Sequence, residues 1–98
     1  MSSDEVIAKL RYHAPELQAE GILHLALFGS TARNEASPDS DVDLMAEYDP
    51  AFHLSLLDIC KLQNKIEDIL NKRVDLSTRR LLKPIIKESA EEDAIDAF

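Results

Sequence analysis

The chain has 98 residues, a formal net charge of −8 at pH 7, 45% hydrophobic residues and 31% charged residues. This length predicts one small domain, residues 1–98, and the composition is that of an ordinary globular protein. Acidic residues outnumber basic ones 19 to 11, which argues against a long nucleic acid as substrate, because nucleic-acid-binding surfaces are basic. With no apolar run near the ~20 residues of a membrane span and no signal-peptide pattern, we expect a cytoplasmic protein that binds no membrane.

The first 28 residues predict two helical segments and one strand. Ser2 and Glu5 stand at capping-box spacing and predict the start of a helix. Pro15 can begin a second short helical turn, which Gly21 would close. The nearly continuous apolar run Ile22–Phe28 predicts a central strand that is buried on both faces.

Gly29 and Ser30 follow directly on this strand. Glycine allows a sharp turn and a close approach to a ligand, and a serine hydroxyl can both cap a helix and donate to phosphate. A short helix at residues 31–34 would direct its N–H groups and dipole at an anion. Arg33 would lie one turn along this helix, where contact with phosphate and pairing with a nearby carboxylate both remain open. An ordinary strand-to-helix turn can have the same dipeptide, so the phosphate prediction depends on the residues that follow.

Asp41 and Asp43 open a second predicted strand at residues 41–48. Alternate residues of a strand share a face, so the two carboxylates would lie together while Val42 and Leu44 point into the core. Two like charges side by side destabilise a bare sheet. Oxygen ligands of this kind are what Mg²⁺ prefers, so the pair predicts a divalent-cation site.

Two other ligand-binding motifs do not fit this stretch. An EF-hand loop starting at Asp39 needs Gly at its sixth position and Glu at its twelfth, where Leu44 and Pro50 stand. A Walker-type P-loop needs a second Gly followed by Lys and Ser or Thr, where residues 34–36 read Asn-Glu-Ala. A plain strand flanked by an acidic turn remains possible, but it would leave the Gly-Ser turn unexplained.

The second half of the chain predicts a long helix, a short strand and a last helix. Ser55 and Asp58 form a cap pair for a helix at residues 55–71. Its buried stripe is predicted at Leu56, Ile59, Cys60, Ile66, Ile69 and Leu70. A strand at residues 74–77 would place Asp75 on the face opposite its two apolar neighbours. Lys83-Pro84 marks the start of the last helix, whose intermittent apolar stripe is Ile85, Ile86, Ala90, Ala94 and Phe98. This alternation predicts an α/β fold, a small mixed β-sheet with helices packed on it.

The Gly-Ser turn, a ten-residue spacing and Asp-x-Asp together resemble the minimal nucleotidyltransferases (MNT proteins) of the DNA polymerase beta-like superfamily. Gly29, Ser30, Asp41 and Asp43 meet that spacing, and Arg33 fits the usual Gly-Ser-x-x-Arg-Gly, in which Asn34 replaces the last glycine. The resemblance implies a nucleotidyltransferase palm-like core. It also implies that Asp75, in a Val-Asp-Leu strand, completes a metal site with Asp41 and Asp43.

The same resemblance implies a function. MNT proteins commonly act as the antitoxin of a toxin–antitoxin pair, transferring AMP from ATP to a tyrosine hydroxyl of a HEPN-type ribonuclease toxin. The implied site would hold two Mg²⁺ ions on the three aspartates, as in two-metal chemistry. Gly29, Ser30 and Arg33 would bind the nucleotide, and the domain would form a hetero-oligomer with its toxin. A non-catalytic module that neutralises its partner by binding is the alternative, which Asn34 keeps open.

Overall fold

The computed structural model describes residues 2–33, 41–78 and 94–98. In these ranges the helices are α1 (Ser3–Tyr12), α2 (Ala14–Ala19), α3 (Gly29–Ala32) and α4 (Leu56–Leu70), with a 3₁₀ turn at Pro50–Phe52. The strands are β1 (Ile22–Phe28), β2 (Val42–Tyr48), β3 (Val74–Thr78) and β4 (Ile95–Asp96). Asn34, the predicted loop at residues 35–40 and the start of the predicted last helix at Lys83 lie outside the described residues. Across the described ranges, no helix combines the length and the apolar character needed to cross a membrane.

The four strands form one mixed sheet in the order β3-β2-β1-β4, which confirms the predicted α/β fold. β1 is antiparallel to both β2 and β4, whereas β2 and β3 are parallel. β1 is therefore an interior strand, as its apolar run predicts. Its burial on both faces is limited to its second half, because Leu23 is 40% exposed and His24 is also exposed, while the three residues from Leu25 to Leu27 are buried.

The main core lies between one face of this sheet and helices α1, α2 and α4. Every second residue of β2 points into it, beginning at Val42, and Val74 of β3 joins from the neighbouring strand. The helices contribute buried side chains that include Val6, Leu10, Leu17, Ile66 and Leu70. The opposite face of the sheet buries a smaller pair, Ala26 and Met45. The sheet thus separates a large apolar core from a second face that carries the polar residues of β2 and β3.

Helix α4 begins with the predicted capping box. The N–H of Asp58 donates to Ser55 Oγ at 3.2 Å, and the N–H of Ser55 donates to Asp58 Oδ2 at 3.0 Å. These bonds satisfy backbone donors that the first helical turn would otherwise leave unpaired. The helix ends at Leu70, followed by Asn71 in the left-handed conformation at φ 54°.

The predicted buried stripe of α4 is partly wrong. Ile66 and Leu70 are buried and Ile69 packs against the core, but Leu56 is 79% exposed and Cys60 is exposed. The side chain that the prediction missed is Leu62, which is 5% exposed. Leu62, Ile66, Ile69 and Leu70 lie on one side of a helix that turns about 100° per residue. Cys60 lies about 160° from Leu62 on that wheel, so it cannot share the buried side.

The end of the chain is also different from the prediction. Ala94 and Phe98 were expected on a helical stripe, but residues Ile95–Asp96 form β4, which pairs with β1 at Ala26 and Leu27. Arg11 of α1 contributes to holding this strand. Its Nε donates to the Ala97 carbonyl at 2.9 Å and its Nη2 donates to the Asp96 carbonyl at 3.2 Å.

Replacing Arg11 with methionine tests this contact, because the substitution keeps an apolar stem while removing both donors. We expect the free energy of unfolding to fall by about 1 kcal/mol, in the range of partly exposed hydrogen bonds to a charged group. We also expect faster hydrogen exchange at the Ala97 amide, which donates to the Leu25 carbonyl at 2.8 Å. Lys9→Met on the same helix is the control. Unchanged exchange at Ala97 would show that Arg11 does not hold β4.

Candidate active site

The candidate site lies where β1 ends and β2 begins. The antiparallel register places Phe28, the last residue of β1, opposite Asp43 in β2. Gly29 therefore leaves the sheet beside Asp43, with a backbone φ of +74°. Helix α3 starts at Gly29 with Phe28 as its N-cap, so the short helix begins two residues earlier than predicted. Ser30, which is half-buried, is inside the helix and is not the predicted N-cap.

Gly29 lies against the carboxylate of Asp43. A Cβ at position 29 would lie 3.2 Å from Asp43 Cγ and 3.3 Å from Asp43 Cβ, and it would overlap the Oδ2 oxygen. Such distances are too short for a real side chain, and a positive φ is itself unfavourable for any residue other than glycine. Two constraints therefore require glycine here: the positive φ of the turn and its close approach to this aspartate.

The parallel pairing of β2 with β3 brings Asp75 beside Asp43. The two residues are direct partners in the register, as are Val42 with Val74 and Leu44 with Leu76. The apolar partners face the main core, where Val42 and Leu44 are completely buried. Because side chains alternate along a strand, both aspartates lie on the opposite face. The predicted β3 strand and its placement of Asp75 are confirmed.

The electrostatics of Asp43 show that its neighbours are close. Partial burial raises the pKa of Asp43 above its ordinary value of 3.8, and the negative charges of Asp75 and then Asp41 raise it further. The positive charge of Arg33 acts in the opposite direction. Asp41 is exposed and immediately precedes β2, whereas Arg33 is exposed at the end of α3. Four of the predicted site residues therefore interact electrostatically, with Asp43 at their centre.

These carboxylates fit a cation for which the protein supplies only some of the ligands. Among residues 2–33, 41–78 and 94–98, no three His, Cys, Asp or Glu side chains form a cluster that could hold a metal ion. Mg²⁺ commonly binds through one or two carboxylates and completes its shell with water and substrate phosphates. The crowded aspartates beside a turn that can receive phosphate match that pattern.

Thr31 is a buried residue of the site region that the sequence did not single out. It is 2% exposed, and its Oγ1 has no hydrogen-bond partner among the residues that the structure describes. Burial follows from the packing of α3 against β1 and β2. A single threonine after Gly-Ser shows no periodicity, so no signal in the sequence distinguishes it from an exposed helix residue.

Comparison with known proteins agrees with this geometry. The model of the nucleotidyltransferase domain family matches residues 9–97, so the chain belongs to that family. It is 34% identical over 84 residues to the protein adenylyltransferase MntA of Thermococcus cleftensis, covering 85% of this chain and 83% of that protein. It is 39% identical over 94 residues to a Methanocaldococcus jannaschii protein provisionally named a protein adenylyltransferase, covering 93% of each chain.

Solved structures share the fold. One described provisionally as a minimal nucleotidyltransferase superposes with a TM-score of 0.81 at 32% identity, covering 97% of this chain and 95% of that one. A toxin–antitoxin structure with AMP-PNP has a TM-score of 0.69 at 20% identity, covering all of this chain and 73% of that one. The tri-AMPylated Shewanella oneidensis HEPN toxin in complex with MNT antitoxin gives 0.63 at 18% identity, covering 90% and 68%. The predicted resemblance to minimal nucleotidyltransferases is confirmed.

Gly29→Ala tests the contact between the turn and Asp43. We expect a loss of stability of at least about 1–2 kcal/mol from the positive φ alone, and weaker binding of an ATP analogue because Asp43 must move. The control is Gly21→Ala, which also has a positive φ, +110°, and packs against Phe52 and Leu54 at the other end of β1. This end is about 26 Å from Gly29 along the strand. Urea denaturation and calorimetric titration with the analogue should show lost stability in both variants and lost affinity in Gly29→Ala only. Undiminished affinity in Gly29→Ala would contradict the assignment.

Asp43→Asn tests the charge crowding through pH. Because the pKa of Asp43 is raised, its carboxyl group stays protonated to a higher pH in the folded protein than in the unfolded chain. Ionisation of Asp43 therefore destabilises the fold, and this cost grows as pH rises from about 3.8 through the raised pKa. We expect urea titrations in metal-free buffer between about pH 3 and pH 7 to show this difference. The free energy of unfolding of Asp43→Asn should equal that of wild type at the acid end and exceed it at neutral pH. Asp68→Asn, on an exposed part of α4, controls for net charge. If the free energies of unfolding of Asp43→Asn and wild type differ by the same amount at every pH, this interpretation is contradicted.

Proposed function

We propose that this domain is a Mg²⁺-dependent protein adenylyltransferase that acts as an antitoxin. It would transfer AMP from ATP to a tyrosine hydroxyl of a HEPN-type toxin, with pyrophosphate as the leaving group. The observation that carries this proposal is the pairing of Asp43 with Asp75 next to the turn at Gly29. Only glycine fits this turn, because a Cβ would overlap the Asp43 carboxylate. Membership in the nucleotidyltransferase family supports the reaction class.

Each site residue has a role in this proposal. Asp41, Asp43 and Asp75 would hold Mg²⁺, which when bound neutralises the triphosphate and lowers the pKa of an attacking hydroxyl. Gly29 and Ser30 would bind the β- and γ-phosphates through backbone N–H groups and the serine hydroxyl. Held at this end, the nucleotide would present its α-phosphorus to the incoming hydroxyl in line with the leaving pyrophosphate.

Arg33 would act on the charge of the phosphates, and Asp75 on the proton of the attacking hydroxyl. Arg33, whose charge already acts on Asp43, would add a positive charge beside the phosphates. Asp75 is exposed, so its carboxylate is accessible to the proton of the attacking hydroxyl. Phosphoryl transfer needs little more from a protein than such positioning and charge stabilisation.

The relatives support the choice of partner. Thermococcus cleftensis MntA is named a protein adenylyltransferase, and a solved neighbour is an MNT antitoxin in complex with an AMPylated HEPN toxin. This chain would form the same type of hetero-oligomer. Its net charge of −8 favours a basic protein partner and disfavours a long nucleic acid.

The test uses a HEPN-type toxin as the acceptor, with Mg²⁺ and α-labelled ATP. We expect label on the toxin and a mass gain of one AMP per modified tyrosine. Asp41→Asn should lower the rate by at least about 100-fold, the usual cost of losing one group that stabilises a transition state. Asp68→Asn should leave the rate unchanged.

The same mixture separates an enzyme from a binding module. A phosphodiester on the toxin outlasts the complex, so modified toxin should remain inactive after the domain has been removed. A binding module would give inhibition that disappears on separation and does not depend on ATP or Asp41. An unlabelled toxin that regains activity on separation would overturn the proposed enzyme function.

A further inference from the structure

We infer that a second copy of this chain is also an acceptor, and that the domain adenylylates itself between molecules on Tyr12. This inference rests on the proposed function, because the same site and the same ATP would carry out the reaction. It extends that function to a modification site on the domain itself.

Tyr12 is the tyrosine of this chain whose hydroxyl an active site can reach. The sequence contains two tyrosines. Tyr12 is 83% exposed, at the last position of α1. Tyr48 lies in β2, where its hydroxyl oxygen is buried and burial raises its pKa. The buried phenol can neither reach the α-phosphate of a bound nucleotide nor ionise easily.

The surroundings of Tyr12 hold its ring in place without covering it. The ring of His13 contacts it edge to face, with ring centroids 5.1 Å apart. His13 is itself fixed, because its Nδ1 lies 2.9 Å from Glu16 Oε2. Tyr12 follows the buried Leu10 by two residues, or about 200° around the helix, so its side chain leaves the core.

The charge around Tyr12 is opposite to that of the candidate active site. The last turn of α1 is basic, with Lys9 and Arg11. Arg11 donates to two neutral backbone carbonyls, so its positive charge is retained next to Tyr12. The candidate active site carries Asp43 and Asp75 in adjacent register positions. Two copies of the chain, each with a net charge of −8, repel as wholes, so the attraction between the basic turn and these aspartates acts only at short range, within the Debye length of about 8 Å at 0.15 M salt.

The transfer has to take place between two molecules. Helix α1 packs through Val6 and Leu10 into the main core, together with Val42 and Val74. Asp43 and Asp75 lie on the opposite face of the same sheet, because side chains alternate along β2 and β3. The sheet therefore separates the Tyr12 of each chain from its own aspartates.

The reaction is balanced by ATP alone. The phenol oxygen of Tyr12 forms a bond with the α-phosphorus, and the bond from this phosphorus to the α–β bridging oxygen breaks. Pyrophosphate leaves with that electron pair, and the phenol proton passes to the Asp75 carboxylate and from there to solvent. The product is an AMP phosphodiester on Tyr12.

The first experiment incubates the 98-residue chain with Mg²⁺ and α-labelled ATP, without any toxin. We expect label on the chain, a mass gain of one AMP, and modification of the peptide that contains Tyr12. Tyr12→Phe should lose the label, whereas Tyr48→Phe, the matched control, should retain it. Label on Tyr12→Phe at the wild-type level would overturn the inference.

The second experiment tests transfer between molecules. Asp43→Asn supplies an acceptor without activity, and Tyr12→Phe supplies activity without the acceptor. Alone, each variant should stay unlabelled, and in a mixture the label should appear on the Asp43→Asn chain, which a size tag distinguishes. No label in the mixture, when wild type labels itself, would overturn transfer between molecules.

The HEPN-type toxin separates this inference from the proposed function. Tyr12→Phe should label the toxin at the wild-type rate, because Tyr12 lies outside the active site. Label on the toxin with none on the wild-type domain would overturn self-modification and leave the proposed function intact. Label on neither protein would overturn both.

Discussion

The repulsion between the carboxylates of Asp43 and Asp75 is the constraint on which the site depends. The parallel register of β2 and β3 fixes the two residues side by side, and partial burial together with these charges raises the pKa of Asp43. Like charges directly opposite each other destabilise a sheet, so the fold tolerates this pair at a cost. That cost is consistent with a surface that is completed by a cation and by the phosphates of a nucleotide.

The rest of the structure keeps this pair in place. Val42 and Val74, and then Leu44 and Leu76, pack into the core on the other face, so the register cannot slip without exposing apolar side chains. The turn at Gly29 forms another side of the site. It has room for the Asp43 carboxylate only because residue 29 has no Cβ. A rigid sheet and a tight turn thus position the acidic groups, and the exposed Arg33 adds an opposite charge that acts on Asp43.

Much of this arrangement could be predicted from local sequence. The alternation in Val74, Asp75 and Leu76 fixes which side chain leaves the core, and the Ser55–Asp58 pair fixes where α4 begins. Features that depend on tertiary contacts could not be predicted in this way. Leu56 and Cys60 fit an apolar pattern, yet the sheet covers only the side of α4 that carries Leu62.

The short strand β4 is another feature that local sequence could not predict. Its two residues carry no strand pattern, and they pair with β1 because Arg11 and the edge of β1 offer hydrogen-bond partners that are distant in sequence. The start of α3 was missed by two residues because Gly29 begins the helix at a positive φ, which a capping rule for serine does not anticipate. Candidate site residues were easier to propose than these elements, since Gly-Ser and Asp-x-Asp carry a chemical pattern as well as a structural one.

The central claim is that Asp75 and Asp43 act together on one metal–nucleotide complex. Electron paramagnetic resonance of Mn²⁺, a substitute for Mg²⁺, measures this directly when the ion is titrated with and without a non-hydrolysable ATP analogue. We expect tight Mn²⁺ binding only with the analogue present, and a loss of at least about tenfold in affinity for Asp75→Asn, equivalent to 1.4 kcal/mol. Asp68→Asn should bind as wild type does. Equal affinity in Asp75→Asn and wild type would contradict the claim that the pairing of β2 with β3 builds the site.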